Sequence, residues 1–244
     1  MRPYYEQDGI TIYHGDCLDV LGAVELPELS AVIMDPPYAS GARTESAKPS
    51  SGAMLRGQRW AAKPIENDQM TTAGFVWLMR EVLLSVRPKL REGGSVLSFI
   101  DWRQWPNLVG AVESCNLRVQ GMVVWDKMSF GLGNGFRVQH ELVLHASRGV
   151  PDVQDRSVPN VIGVPRVPND DHPSPKPVAL MASLLSVVAP RGSTVIDPFS
   201  GCGPSLVAAQ SLGLRAIGIE YEERYCEIAA RRLAQQSLPL EAAS

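Results

Sequence analysis

Along the chain, short uninterrupted apolar runs alternate with longer stretches in which apolar residues return every third or fourth position. The runs near 10–14, 31–34, 95–100, 119–125, 141–146, 193–196 and 215–219 read as strands, most of them too apolar to face water on either side. Phe75, Leu78, Met79, Val82, Leu83 and Val86 recur at helical spacing and stop before Pro88. Trp105, Leu108, Val109, Val112 and Cys115 repeat the pattern, as do Leu180, Leu184, Val187 and Val188 after Pro177. A short helix is expected around Leu18 to Leu21, and a last one over 222–236, buried through Tyr225, Ile228 and Leu233. Strands interleaved with amphipathic helices predict an α/β fold: a seven-stranded, mostly parallel sheet with helices on both faces. The spacing of the last two strands suggests a terminal antiparallel hairpin.

Two stretches break this pattern. Residues 39–71 are poor in aliphatics, rich in Ser, Gly and Ala, and carry Arg43, Lys48, Arg56, Arg59 and Lys63. They read as a basic insertion loop, suited to a phosphate backbone or else simply solvated. Residues 149–171 lack periodicity and are interrupted by Pro151, Pro159, Pro165 and Pro168. A length of 244 residues fits one domain over 1–244. The formal charge of −3 excludes a global basic field, so any nucleic-acid surface is local. The four cysteines, at 17, 115, 202 and 226, are scattered without metal-site spacing, as expected of reduced thiols in the cytoplasm. No apolar run is long enough for a membrane span, and no secretory leader is evident.

The chemistry gathers at strand ends. Asp16, Asp35, Asp197 and Glu220 each follow or close a strand, the edge where open α/β sheets bind ligands. Asp35-Pro36-Pro37-Tyr38 is stiff, because each proline fixes its own φ and holds the preceding residue extended. It offers a carboxylate, two carbonyls and a flat ring, which suit a planar ligand bearing an amino group. Asp197-Pro198-Phe199-Ser200-Gly201-Cys202-Gly203 is a second turn, where the glycines permit close approach of backbone to ligand. Pro204 opens the following helix, Gly213 closes it, and the next strand ends in Glu220, placed for ribose hydroxyls in a βαβ unit. The third glycine of a dinucleotide fingerprint is missing. Asp197 would repel a pyrophosphate but favour a cationic group.

Together these two motifs resemble the amino-group DNA methyltransferases, with the catalytic motif ahead of the cofactor loop as in the circularly permuted β class. The resemblance runs from Tyr13 to Leu233. It implies a Rossmann-like methyltransferase fold, S-adenosylmethionine as cofactor and double-stranded DNA as partner, and leaves a homodimer open. Nothing resembles a nuclease, which favours a solitary enzyme of bacterial or phage origin, with a restriction–modification partner left open. Catalysis would fall to Asp35, Pro36, Pro37 and Tyr38, the tyrosine stacking on an extruded base. The cofactor would meet Asp16, Cys17, Asp197, Phe199, Ser200, Gly201, Cys202, Gly203, Glu220 and Tyr221; Asp16 has an N-cap as its alternative role. His172-Pro173-Ser174-Pro175-Lys176-Pro177 is similar to a family segment that closes on the methionine end of the cofactor. Ser174 and Lys176 are therefore site candidates, with a plain helix cap as the alternative.

The basic loop residues Arg43, Lys48, Arg56, Arg59 and Lys63 are expected on DNA. Lys127, in a Trp-Asp-Lys and glycine-rich stretch, is expected beside the target base, with Phe136 near it; an ordinary hairpin explains the same residues. Residues 149–171 correspond to a target-recognition region, here short. Asp rather than Ser before Pro-Pro-Tyr resembles adenine-N6 members, leaving cytosine N4 as the alternative. No Pro-Cys occurs, which excludes the cysteine-based chemistry of cytosine carbon methylation. An oxidoreductase and a non-catalytic DNA-binding protein remain the readings from other classes.

Overall fold

The computed structural model describes residues 1–37, 70–131, 135–167 and 176–237. In chain order the elements are β1 (Tyr5–Gln7), β2 (Ile10–His14), α1 (Cys17–Ala23), β3 (Leu29–Met34), α2 (Thr72–Val86) and β4 (Leu90–Ile100). They continue with α3 (Trp105–Ser114), β5 (Arg118–Asp126), β6 (His140–Ser147), β7 (Val161–Gly163) and α4 (Val178–Val188). The last are β8 (Thr194–Asp197), α5 (Pro204–Ser211), β9 (Arg215–Glu220) and α6 (Glu223–Ser237).

The described strands form one sheet in the order β1-β2-β9-β8-β3-β4-β6-β5-β7. The contiguous strands β2, β9, β8, β3 and β4 pair in parallel. Strand β6 runs antiparallel to both its neighbours, and β1 is antiparallel to β2. All seven expected strands are present, and the sheet is α/β and mostly parallel as predicted. It holds nine strands rather than seven, because β1 and β7 are three residues each, too short to show a period. The expected terminal hairpin is absent. β8 and β9 pair in parallel, since the segment between them is helix α5, a crossover rather than a turn. The hairpin is instead β5–β6.

Helices cover both faces. Residues of α1, α2 and α3 pack in one apolar cluster, and residues of α4, α5 and α6 in the other. Strand β3 shows why its sequence is apolar without alternation: Val32 and Met34 enter the first cluster, Ala31 and Ile33 the second. From β8 the chain crosses through α5 to β9 on one side; from β3 it reaches β4 on the other, with α2 against the opposite face. The strand order therefore reverses between β8 and β3, and a crevice is expected outside their carboxyl ends.

Candidate active site

Asp197 is the final residue of β8 and is buried. Its carboxylate accepts the Phe199 amide at 3.0 Å and the Ser205 hydroxyl. Burial pushes its pKa up to about 7; those two hydrogen bonds oppose the shift, and the charges of Asp35 and Glu220 add to it. Strand pairing sets these three carboxylates at the ends of adjacent strands, β3, β8 and β9. Asp35 lies just past β3, the parallel partner of β8 across the reversal point, with Val32 level with Ile196. The proline-stiffened corner and the glycine turn thus stand at the same carboxyl edge, on neighbouring strands either side of the reversal point.

The glycine turn is shaped by its own backbone. Gly201 and Gly203 adopt positive φ, 52° and 77°. A Cβ on Gly203 would lie 2.7 Å from the Cβ of Ala229 in α6, so only glycine fits. Pro204 follows as the first residue of α5, where its missing amide hydrogen removes no helical bond. The absent third glycine has a counterpart on the next strand. At Gly218 a Cβ would stand 2.7 Å from Leu206 Cδ1 and 3.0 Å from Ser200 Oγ, so this glycine lets α5 and the turn close onto β9. Glu220 ties the turn down: Oε2 accepts the Gly201 amide and Oε1 the Glu222 amide, both at 2.8 Å. Its pKa is raised, chiefly by burial, against those two bonds. Each carboxylate oxygen has a second lone pair, so these bonds leave acceptor capacity for ligand hydroxyls.

Other expected residues are placed as follows. Asp16 caps α1, its Oδ1 accepting the amides of Leu18 at 2.8 Å and Asp19 at 3.4 Å. It stands at the same edge, because Gly15 donates to the Glu220 carbonyl. The Cys17 thiol is packed in the core, and burial pushes its pKa up to about 12. Cys202 is also buried, and Arg232 of α6 donates to its carbonyl at 3.2 Å. Phe199 is half-buried against the first cluster. Ser200 is buried with its hydroxyl on the Ile219 carbonyl. Tyr221 is exposed and its carbonyl lies 3.1 Å from His14 Nε2. Tyr38, Arg43, Lys48, Arg56, Arg59, Lys63 and Ser174 lie outside the described residues.

Two lysines differ from expectation. Lys176 is buried, and its ammonium donates to Asp35 Oδ2 at 2.5 Å, so it meets that acid directly. It also lies 3.3 Å from Glu141 Oε2. Lys127, expected to face DNA, is turned inward: its side chain is only 10% exposed and its ammonium is paired with Glu141 Oε1. A buried, paired ammonium is not available to a phosphate. Phe136, by contrast, is fully exposed in the β5–β6 connection. Glu141 has no counterpart among the residues expected from sequence. It begins a strand rather than ending one, and only the antiparallel direction of β6 brings it to the carboxyl edge of its neighbours. The signal was an acid opening an otherwise apolar run. Among the described residues, no cluster of His, Cys, Asp or Glu could hold a metal ion. No described helix is long and apolar enough to cross a membrane.

A sheet reversal flanked by Asp-Pro-Pro and a glycine turn defines the class. The model of the N6/N4 DNA methylase family matches residues 29–161 and 151–231, and the chain belongs to that family. Among relatives, it is 26% identical over 220 residues to YubD of Escherichia coli (strain K12), which carries a provisional methylase name; the match covers 90% of this chain and 88% of that one. It is 23% identical over 262 residues to the type II methyltransferase M2.DpnII of Streptococcus pneumoniae, covering 97% and 94%. Two solved structures share the fold. The M1.HpyAVI–SAM complex superposes with a TM-score of 0.67 at 20% identity, over 92% of this chain and 99% of that one. The cytosine-N4-specific PvuII DNA methyltransferase superposes with a TM-score of 0.75 at 15% identity, over 99% and 91%.

Proposed function

We propose that this protein transfers a methyl group from S-adenosylmethionine to the exocyclic N6 nitrogen of an adenine extruded from double-stranded DNA. The observation that carries the reading is the sheet reversal between β8 and β3, with Asp197 and the glycine turn at the end of one strand and Asp35 at the end of the other; we take the space between them as the crevice that binds both substrates.

The residues present fit this cofactor. Burial and like charges raise the pKa of Asp197, so a cationic ligand beside it would be favoured. A pyrophosphate would add charge of the same sign, which argues against a dinucleotide. Glu220, held rigid by two amides, retains acceptor capacity for ribose hydroxyls. When bound, S-adenosylmethionine supplies an electrophilic methyl on a positively charged sulfur.

The rest of the chemistry belongs to the chain. The target amine is a weak nucleophile, because its lone pair is delocalised into the ring. Asp35 accepts one of its hydrogens and the Pro36 carbonyl the other, which draws the nitrogen towards tetrahedral geometry. The same acceptors stabilise the positive charge that develops on nitrogen during attack. The methylated nitrogen then loses a proton, and no strong base is needed because that cation is acidic. Tyr38 stacks on the extruded base, an interaction worth roughly 1–3 kcal/mol. Arg43, Lys48, Arg56, Arg59 and Lys63 supply phosphate contacts.

Mass spectrometry of nucleosides from unmethylated DNA treated with the protein and S-adenosylmethionine tests this. N6-methyladenine is expected. N4-methylcytosine would move the assignment to the cytosine amino group, which the same two acceptors can hold. No methylated nucleoside would overturn it.

A further inference from the structure

Resting on the reading of Asp35 as the amine acceptor, we infer that Glu141 is a positioning residue for methyl transfer, acting on Asp35 through Lys176. Four charged groups line up along the carboxyl edge of the sheet: Asp35 after β3, Lys176 before α4, Glu141 at the start of β6 and Lys127 after β5. Lys176 donates to Asp35 Oδ2 at 2.5 Å and stands 3.3 Å from Glu141 Oε2, with its side chain 5% exposed. Lys127 pairs with the other oxygen of Glu141. Two aromatic rings support the ammoniums, Phe99 at 5.0 Å from Lys176 Nζ and Trp125 at 5.1 Å from Lys127 Nζ.

The two central members hold their charged forms. Burial opposes the charge on Glu141, but Lys176 and Lys127 outweigh it and hold its pKa below the ordinary range. Burial likewise opposes the Lys176 charge, and Asp35 and Glu141 outweigh it in turn. The two negative and two positive charges make a neutral set, the condition under which buried ions are tolerated.

Asp35 and Asp197 carry like charge at the ends of neighbouring strands and repel one another. Lys176 supplies the opposing charge, and one bond to Oδ2 fixes the plane in which the carboxylate meets an amine. A lysine ammonium on a flexible four-carbon stem is itself poorly located. Glu141 supplies the second anchor, so Lys176 is held from two sides. Removing Glu141 leaves two buried ammoniums beside one carboxylate and takes away the ion pair that draws Lys176 from the side opposite Asp35.

The test is a kinetic cycle over Glu141→Gln, Lys176→Met and the double variant, with equilibrium binding of S-adenosylmethionine and DNA measured alongside. Glu141→Gln is expected to lower kcat about 10- to 100-fold, the scale of a misplaced catalytic group, with both affinities unchanged. In the Lys176→Met background the same change should cost nothing further, because the path to Asp35 is already cut. Wild-type kcat in Glu141→Gln, or fully additive losses, would overturn the relay. If Glu141→Gln alone folds poorly, Lys127→Met/Glu141→Gln removes one charge of each sign and is judged by the same criteria. A wild-type protein that methylates no DNA would overturn the underlying reading instead. The relay is then decided by the Asp35 carboxyl 13C resonance, which should move in Glu141→Gln; an unmoved resonance would overturn it.

Discussion

The two walls of the crevice are built by different means. The β8–β9 wall is made by its own backbone: amides of Phe199, Gly201 and Glu222 bond to Asp197 and Glu220, all within 26 consecutive residues (197–222). The β3 wall is one carboxylate steered by side chains far away in sequence, Lys176 directly and Glu141 beyond it. Backbone bonding within a tight turn gives a rigid surface that a ligand can rely on. A relay of ion pairs gives a charge whose direction can be adjusted, at the risk that losing any one member disturbs the rest. A wall made rigid by local bonds, proposed to bind the cofactor, and one held by distant ones, proposed to react, should therefore respond differently to substitution.

The largest expected effect is on the reacting wall. Asp35→Ala should lower kcat by at least about 10²- to 10³-fold, the scale for removing one preorganised transition-state contact, while S-adenosylmethionine still binds. Parallel assays of methyl incorporation and calorimetric binding check this; joint loss of both would mean that the two walls are one unit. On the binding wall, Gly203→Ala meets Ala229 and a positive φ, and should destabilise the fold by about 1–3 kcal/mol in denaturant titration. Unchanged stability would show that α6 yields easily.

Next in size is a pH effect. A carboxyl whose pKa rises on folding binds more protons folded than unfolded, so its stabilising contribution is complete below the unfolded value and is lost as pH climbs through the folded one. For Asp197 that window runs from about 4 to about 7. Each unit within it costs about 1.4 kcal/mol, about 3 °C in melting temperature for a chain of this size. Asp197→Asn should flatten this fall, and an identical slope in both proteins would contradict the assignment. The smallest effect concerns DNA. Lys127→Met should leave the salt dependence of DNA affinity unchanged, because its ammonium is paired with Glu141. Reversing the charges of Arg56 and Arg59 should weaken binding at low salt. A shallower salt slope for Lys127→Met would return that lysine to the DNA surface.

Legibility from sequence follows the same division. Asp197, Gly201, Gly203 and Glu220 fall within one strand–turn–helix–strand unit, where spacing along the chain is spacing in the fold. Asp35 was visible for a similar reason, since prolines stiffen it within three residues. Glu141 was not, because it joins the site only through the strand order and the reversed direction of β6, neither of which a local pattern encodes. Lys127 was expected beside the target base because a glycine-rich stretch follows it; the partner that draws it inward is that same acid. Asp16 was visible as an acid after a strand, and its bonds are those of the N-cap that was its alternative role. The strands β1 and β7 escaped notice because three residues cannot display a period.

The central claim is that donor and acceptor walls open onto one crevice. A crystal structure with sinefungin, an S-adenosylmethionine analogue bearing an amine in place of the methyl, tests it most directly. The ribose is expected on Glu220, the chain alongside Asp197 and the glycine turn, and the amine directed into the crevice towards Asp35. An analogue bound away from this edge, or with its amine turned from Asp35, would contradict the account.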